Sequence, residues 1–127
     1  MNYLYVSLGG VLGASARYFI FSLMELRSLN FPYHTILVNI LGCLLIGFIV
    51  EFFALRSHLP YNVKLFLVTG FIGSFTTFST FVVDAGLLIE RNEIIKSVFY
   101  MTLSTTLGVL SYFAAVYITR LLLAPTH

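Results

Sequence analysis

A stretch rich in hydroxyls and glycine lies inside an apolar segment that is long enough to cross a bilayer. It covers residues 70–81 and reads GFIGSFTTFSTF, with two glycines three apart, five Ser or Thr residues and four phenylalanines. Glycine costs about 1 kcal/mol in a helix interior relative to alanine, and Thr is also mildly unfavourable. Non-helical backbone at membrane depth persists only where protein buries it or where it lines a water-filled cavity. We therefore interpret this stretch as a break in a transmembrane helix, with freed carbonyls and hydroxyls directed inward.

Two phenylalanines beyond this break, Phe78 and Phe81, are three residues apart and so share a helical face. The edge of an aromatic ring is positive, so ring edges in a narrow pore could contact a small anion without trapping it. Aromatic pairs in membrane helices also serve as ordinary packing. The neighbouring Thr77, Ser79 and Thr80 favour the pore interpretation, because packing does not require a run of hydroxyl donors.

A second polar position at membrane depth is Asn39, which is followed by Gly42, Cys43 and Gly47. At 3.6 residues per turn these side chains fall on one small face, where another helix can approach closely. An amide in hydrocarbon must find partners. The NH₂ group of Asn39 could bind an anion, or the side chain could only form an interhelical hydrogen bond that holds the bundle together.

Arg17 follows a GxxxG pair, Gly9 and Gly13, which is typical of a helix contact. An arginine at the bilayer centre costs roughly 2.5–3.5 kcal/mol on insertion scales, less where the side chain snorkels. Arg17 lies about 10 Å from the end of its segment at 1.5 Å per residue. It could face an aqueous vestibule and attract anions, or it could be a snorkelling or carbonyl-capping anchor.

The composition is that of an integral membrane protein. The chain has 127 residues, of which 59% are hydrophobic and 9% charged, against roughly 25% charged in a soluble domain. Four apolar segments each reach the roughly 20 residues that a span requires; they cover residues 3–24, 36–55, 65–89 and 97–123. We expect one all-α, four-helix transmembrane domain over residues 1–127, with both termini on the same side. Residues 1–16 lack Lys and Arg, so the first segment is expected to remain as a span.

Lys and Arg are balanced between the two sides of the membrane. One side has Arg56, Lys64 and Arg120, and the other has Arg27, Arg91 and Lys96. The bias that normally sets orientation is therefore missing. Such a chain could insert either way up and form an antiparallel homodimer, since inverted repeats recur in transport proteins. The alternative is insertion in a single orientation.

Hydroxyls also occur in the fourth segment, where Tyr100, Ser104, Gly108 and Ser111 share a face. They could form one wall of a polar pathway, although Ser and Thr also bond to carbonyls of their own helix. Glu51 and Asp84 lie near segment ends and could be vestibule groups or interfacial charges. His34 and His58, taken as loop residues, lack metal-ligand spacing.

Several function classes are excluded by what the sequence lacks. It has no G-x-S-x-G, H-E-x-x-H or P-loop motif. We therefore expect neither an enzyme nor transport driven by nucleotide. The net charge of +2 is too small and too scattered to indicate a nucleic-acid partner.

The motif over residues 70–81 is preceded by Val38-Asn39-x-x-Gly42 and by Gly13-Ala14-x-x-Arg17. Together they resemble the Fluc (CrcB) family of fluoride channels over nearly the whole chain. The resemblance implies an antiparallel, dual-topology homodimer with two fluoride pores, in the plasma (inner) membrane of a prokaryote.

The resemblance also implies a set of site residues. Family pore residues map onto Asn39, Phe78, Ser79, Thr80, Phe81, Tyr100 and Ser104. Arg17 and Asp84 match positions near the vestibules. A structural Na⁺ at the dimer centre is implied, held by the backbone carbonyls of Gly73 and Thr76. This chain departs from the family at Ser74, where many members carry a second glycine.

The function implied by the resemblance is passive export of fluoride. HF enters from an acidic exterior and dissociates in the cytoplasm, and the trapped anion leaves through the channel without a coupling ion. The rival is a small multidrug exporter, which relies on a membrane-embedded Glu in its first helix. No acidic residue precedes Glu25 here. A non-transporting assembly subunit would leave the hydroxyl-rich stretch unexplained.

Overall fold

The computed structural model describes residues 1–25, 30–56 and 59–123, and every regular element in these ranges is a helix. The helices are α1 (Asn2–Glu25), α2 (Tyr33–Arg56), α3 (residues 61–75), α4 (Phe78–Glu90) and α5 (Ile94–Leu123). Within α3, a first turn over Tyr61–Lys64 leads into a π-helix over Leu65–Ile72 and a last turn over Gly73–Phe75. Four stretches are long and apolar enough to cross a membrane: Asn2–Met24, Tyr33–Arg56, Tyr61–Glu90 and Ile94–Leu123. The prediction of an all-α protein with four spans is confirmed.

The helices begin and end at turn residues rather than where the hydropathy falls. α2 and α3 start directly after Pro32 and Pro60, whose carbonyls accept the first helical amides. α4 ends at Glu90. In the turn that follows, Asn92 has a φ of 60°, and the Glu93 amide donates back to the Leu88 carbonyl at 2.9 Å. Asparagine tolerates this left-handed conformation, so the chain can turn sharply into α5. Each span therefore starts earlier than the apolar pattern predicted.

The earlier start of α2 changes the interpretation of His34. His34 was expected in a loop, but α2 begins at Tyr33 and includes it. Its ring packs edge-on against Phe21 of α1, with the ring centroids 4.6 Å apart. His58 and Arg27, a residue of the charge balance, lie outside the described residues.

The backbones of α1 and α3 pack directly against each other, because glycines lie at the contact. A Cβ added at Gly9 would collide with the Phe66 carbonyl oxygen, and one at Gly13 with that of Phe71. From the other side, a Cβ at Gly70 would lie 2.7 Å from the Val6 carbonyl oxygen. Gly9 meets Phe66, Gly13 meets Phe71 and Arg17 reaches Thr76, so α1 and α3 run parallel. The GxxxG pair therefore positions the helix that carries residues 70–75.

α2 and α5 form the second parallel pair. A Cβ at Gly47 would lie 2.6 Å from the Tyr112 carbonyl oxygen. Further along, Arg120 Nε donates to Glu51 Oε1 at 2.7 Å, and Nη2 donates to Oε2 at 3.3 Å. The Glu51 side chain is 9% exposed. The ion pair therefore joins α2 to α5, a role that differs from the two considered from the sequence, a vestibule group and an interfacial charge.

α4 is held against α5 and α2 by a small buried core of Ile36, Ala85, Leu88 and Tyr100. The Ser97 hydroxyl donates to the Ala85 carbonyl at 2.9 Å across the buried contact between α4 and α5. These contacts fix the half of the third span that follows residue 77.

Candidate functional site

The third span changes conformation at two threonines. α3 ends at Phe75 and α4 begins at Phe78. Between them Thr76 has φ −77° and ψ 157°, and Thr77 has φ −148° and ψ 117°, which is extended backbone. Extended backbone leaves the regular bonding of a helix, so the Thr76 carbonyl and the Thr77 amide lose their usual helical partners, and water is scarce at this depth. The partners must therefore come from other helices.

Asn39 of α2 supplies two of them. Its Nδ2 donates to the Thr77 carbonyl at 3.1 Å, and its Oδ1 accepts the Thr77 amide at 2.9 Å. The amide side chain thus pairs with Thr77 as a neighbouring strand would. The interhelical hydrogen bond considered from the sequence is present. It engages one of the two hydrogens of the NH₂ group, so the second remains as a donor.

The same clamp frees a carbonyl at Gly73. In a continuous helix the Thr77 amide would donate to the Gly73 carbonyl four residues earlier. Here that amide is directed to Asn39 instead. Both the Thr76 amide and the Thr76 hydroxyl donate to the Ile72 carbonyl at 3.0 Å. These bonds close the last turn of α3 on the carbonyl of Ile72, the residue before Gly73. Gly73 is exposed in the protomer.

The Thr76 carbonyl has a partner from α1. Arg17 Nη1 donates to its oxygen at 3.3 Å, across 59 positions of sequence. Of the roles considered for Arg17, this contact is that of a carbonyl-capping group. It also places a full positive charge beside the extended segment.

Hydroxyls gather on the α4 side of the segment. The Thr77 hydroxyl is the N-cap of α4, since it accepts the Thr80 amide at 3.2 Å. It also donates to the Thr80 hydroxyl at 3.0 Å and lies 3.3 Å from the Ser79 hydroxyl. Thr77 is buried, whereas Ser79 is exposed. The first turn of α4 therefore holds three hydroxyls in one hydrogen-bonded cluster.

Three aromatic rings continue from this cluster. The Phe78 and Phe81 centroids are 5.7 Å apart, and those of Phe81 and Tyr100 are 5.3 Å apart. Phe78 is 77% exposed in the protomer, whereas Tyr100 is fully buried. Ser104, one turn along α5 from Tyr100, is also buried.

Asp84 collects two hydroxyl donors at the far end of the aromatic row. Its Oδ2 accepts from the Thr35 hydroxyl at 2.5 Å and from the Tyr100 hydroxyl at 3.2 Å. Both donors are fully buried. Asp84 also lines a cavity of about 190 Å³ together with His34 and Arg91. Thr35 was missed because it was placed in the connection before the second span.

The structure brings most of the predicted site residues into two neighbouring groups. One surrounds the extended segment and borders an open groove of about 400 Å³, lined by Asn39, Gly42, Cys43, Thr76, Thr77 and Phe78. The other is the Asp84 cluster. Phe81 joins them through its contact with Tyr100. Thr77, which lies at the centre of the first group, was not among the predicted site residues, although the hydroxyl run contained it.

Together, the four spans and the polar groups at membrane depth define a multi-pass membrane protein. Residues 4–116 match the family described as CrcB-like protein, Camphor Resistance (CrcB).

Curated relatives of the chain include several proteins named as fluoride-specific ion channels. The chain is 40% identical over 121 residues to the Fluoride-specific ion channel FluC of Rhodopseudomonas palustris, a match that covers 94% of this chain and 98% of the relative. It is 40% identical over 124 residues to the protein of the same name in Granulibacter bethesdensis, covering 97% and 98%. It is 42% identical over 118 residues to Fluoride-specific ion channel FluC 1 of Nitrobacter hamburgensis, covering 92% and 94%.

The chain belongs to the CrcB family, which confirms the resemblance drawn from its motifs. Because these relatives are named as ion channels, the prediction that the chain is not an enzyme is confirmed as well.

Proposed function

We propose that this chain forms a fluoride-selective channel through which the anion leaves the cytoplasm passively. The observation that carries the proposal is the clamp of Asn39 on Thr77, set among hydroxyls at membrane depth. The names of the relatives support fluoride as the ion. Passive export suits the chemistry of HF, because the neutral acid crosses a membrane and leaves its anion trapped where the pH is higher.

The pathway must replace the strong hydration of fluoride with protein donors. The second amide hydrogen of Asn39 and the hydroxyls of Ser79 and Thr80 are the donors next to the extended segment. Each of these three residues is hydrogen-bonded to Thr77, which holds it in place, so the donors need little reorganisation when an ion arrives. Ser104 would extend the pathway along α5.

The rings of Phe78, Phe81 and Tyr100 supply positive edges between the two polar groups. The Tyr100 hydroxyl already donates to Asp84. Tyr100 therefore serves the pathway through its ring, and its hydroxyl orients the ring. Conduction requires contacts that are weak enough to release the ion, which ring edges provide.

The functional unit is proposed to be an antiparallel homodimer of inverted copies around the broken third helix, in the plasma (inner) membrane of a prokaryote. In the protomer the groove beside the extended segment is open, and Phe78 is 77% exposed beside it. A second copy would cover this groove. The even distribution of Lys and Arg supports insertion in both orientations.

Na⁺ is proposed as a structural ion at the dimer centre, held by the carbonyls of Gly73 and Thr76. The Gly73 carbonyl fits this role, since the clamp on Thr77 removes its helical partner. The Thr76 carbonyl fits it in part, because Arg17 already donates to that oxygen. When bound, the ion would supply a fixed positive charge near the pathway.

The test is ion release from liposomes that contain the purified protein. Vesicles loaded with potassium fluoride or with potassium chloride receive valinomycin, and each anion is followed with its electrode. Rapid fluoride release with little chloride release, without a proton gradient, is the expected result. Absence of fluoride release from folded protein would overturn the proposal, and drug transport that requires a proton gradient would support the rival exporter.

A further inference from the structure

The positive charge of Arg17 is held by a backbone carbonyl. Its Nη1 lies 3.3 Å from the Thr76 carbonyl oxygen. Within residues 1–24, 30–56 and 59–123, the ion pairs are Lys96 with Glu93 and Arg120 with Glu51. No carboxylate in that part of the chain neutralises Arg17.

The carbonyl that Arg17 caps is one of the two that the proposed sodium site requires. Thr76 has a ψ of 157°, so its carbonyl leaves the axis of α3. A carbonyl oxygen has two lone pairs and can in principle accept both a guanidinium and a metal ion. The two cations would then lie within a few ångströms of each other at membrane depth, where repulsion between like charges is weakly screened.

We propose that Arg17 is a built-in competitor of the cation at the extended segment. In a single protomer its guanidinium satisfies the Thr76 carbonyl, and a bound cation must displace it or tolerate its charge. Arg17 therefore lowers the affinity of the site for sodium and adjusts the positive charge beside the pathway. The inference depends on the proposed sodium site, and its test separates the two.

The experiment is thermal unfolding of the purified protein in detergent as a function of NaCl concentration, with N-methyl-D-glucamine chloride keeping the ionic strength constant. A ligand of the folded state raises the unfolding temperature with a half-effect near its dissociation constant. In Arg17→Gln, which keeps donors but loses the charge, we expect the sodium concentration for half-effect to fall by on the order of tenfold. Arg17→Lys should stay near the wild type, and Glu90→Gln, which removes an exposed charge and keeps the Lys and Arg balance, should leave the concentration unchanged.

A second measurement uses the wild-type protein alone and so does not depend on how well a variant folds. In protein labelled with ¹⁵N-arginine, the side-chain signal of Arg17 is identified by its absence from Arg17→Lys. We expect this signal to shift during a sodium titration, with the half-effect found by unfolding.

The outcomes distinguish the two proposals. Equal sodium requirements in the wild type and Arg17→Gln would overturn the competition while leaving the sodium site in place, and an unmoved Arg17 signal during a sodium response would do the same. Absence of any sodium response in every protein would overturn the sodium site itself.

Discussion

Asn39 has two roles at the scale of a single residue. Its amide holds the extended backbone of Thr77 at both the N–H and the carbonyl, at 2.9 and 3.1 Å. The sequence left open whether this residue binds an anion or only holds the bundle together. The structure contains the interhelical bond, and the second amide hydrogen keeps the anion role available as a proposal.

Asn39→Asp tests both roles, because it keeps the shape and removes the NH₂ group. The carboxylate would face the Thr77 carbonyl and repel an anion. A hydrogen bond to a charged group contributes about 1.5–3 kcal/mol, so we expect fluoride release to slow by about tenfold or more. Asn2→Asp, the same change at an exposed position, is the matched control. Unchanged release from folded Asn39→Asp would contradict the donor role.

Phe81 lies between two aromatic neighbours, Phe78 and Tyr100. Phe81→Ile keeps an apolar side chain and removes the ring edge. We expect a folded dimer in which fluoride release falls by up to roughly tenfold, since aromatic edge contacts contribute about 0.5–1.5 kcal/mol. Phe19→Ile, at a residue that is 61% exposed on α1, should conduct normally. Equal fluoride release from the two variants would show that the Phe81 ring edge does not contribute to conduction.

At the scale of helices, the close approach of α1 to α3 determines where the extended segment lies. In Gly13→Ala the new methyl would meet the backbone of Phe71, which cannot move away as a side chain can. Overpacking of this kind costs typically 1–3 kcal/mol, so we expect a lower unfolding temperature in detergent. Gly86→Ala is the control, because nothing lies within 4 Å of its added Cβ. If both variants unfold at the same temperature, the glycines do not set the packing.

The helices also show how far a sequence can be interpreted. The GxxxG pair at Gly9 and Gly13 predicted a helix contact correctly, because the absence of side chains is visible in the sequence. The π-helix over Leu65–Ile72 could not be predicted. Its residues are almost uniformly apolar, so no periodicity distinguishes one helical pitch from another. The identity of the partner helix was equally hidden, since a small face does not specify what packs on it.

The site residues divide in the same way. Glycine, hydroxyl and amide residues in apolar segments were recognisable as candidates because each is costly in lipid. Their hydrogen bonds were not, because those bonds depend on how the helices pack together. Asp84, for example, joins Thr35 of α2 and Tyr100 of α5, although 49 and 16 positions of sequence separate them. The Tyr100 hydroxyl, which the sequence placed on one wall of a possible polar pathway, donates to the Asp84 carboxylate.

At the scale of the whole molecule, the balance of Lys and Arg predicts two orientations in the membrane. Tyr61, which is 64% exposed and carries no charge, can report this as Tyr61→Cys in a Cys43→Ser background, which leaves one thiol and keeps every Lys and Arg. We expect a membrane-impermeant maleimide to label about half of the chains from each side of inner-membrane vesicles, because neither orientation has an excess of positive charge. Labelling from one side alone would contradict the inverted dimer.

Passive passage of fluoride is the central claim, and the reversal potential in a planar bilayer tests it most directly. With a tenfold fluoride gradient and equal chloride and pH on both sides, the account predicts reversal near the fluoride equilibrium potential, about 59 mV for a monovalent ion. A pH gradient imposed afterwards should leave this potential unchanged. A reversal potential that moves with the pH gradient, or that stays at zero, would contradict a fluoride-selective channel.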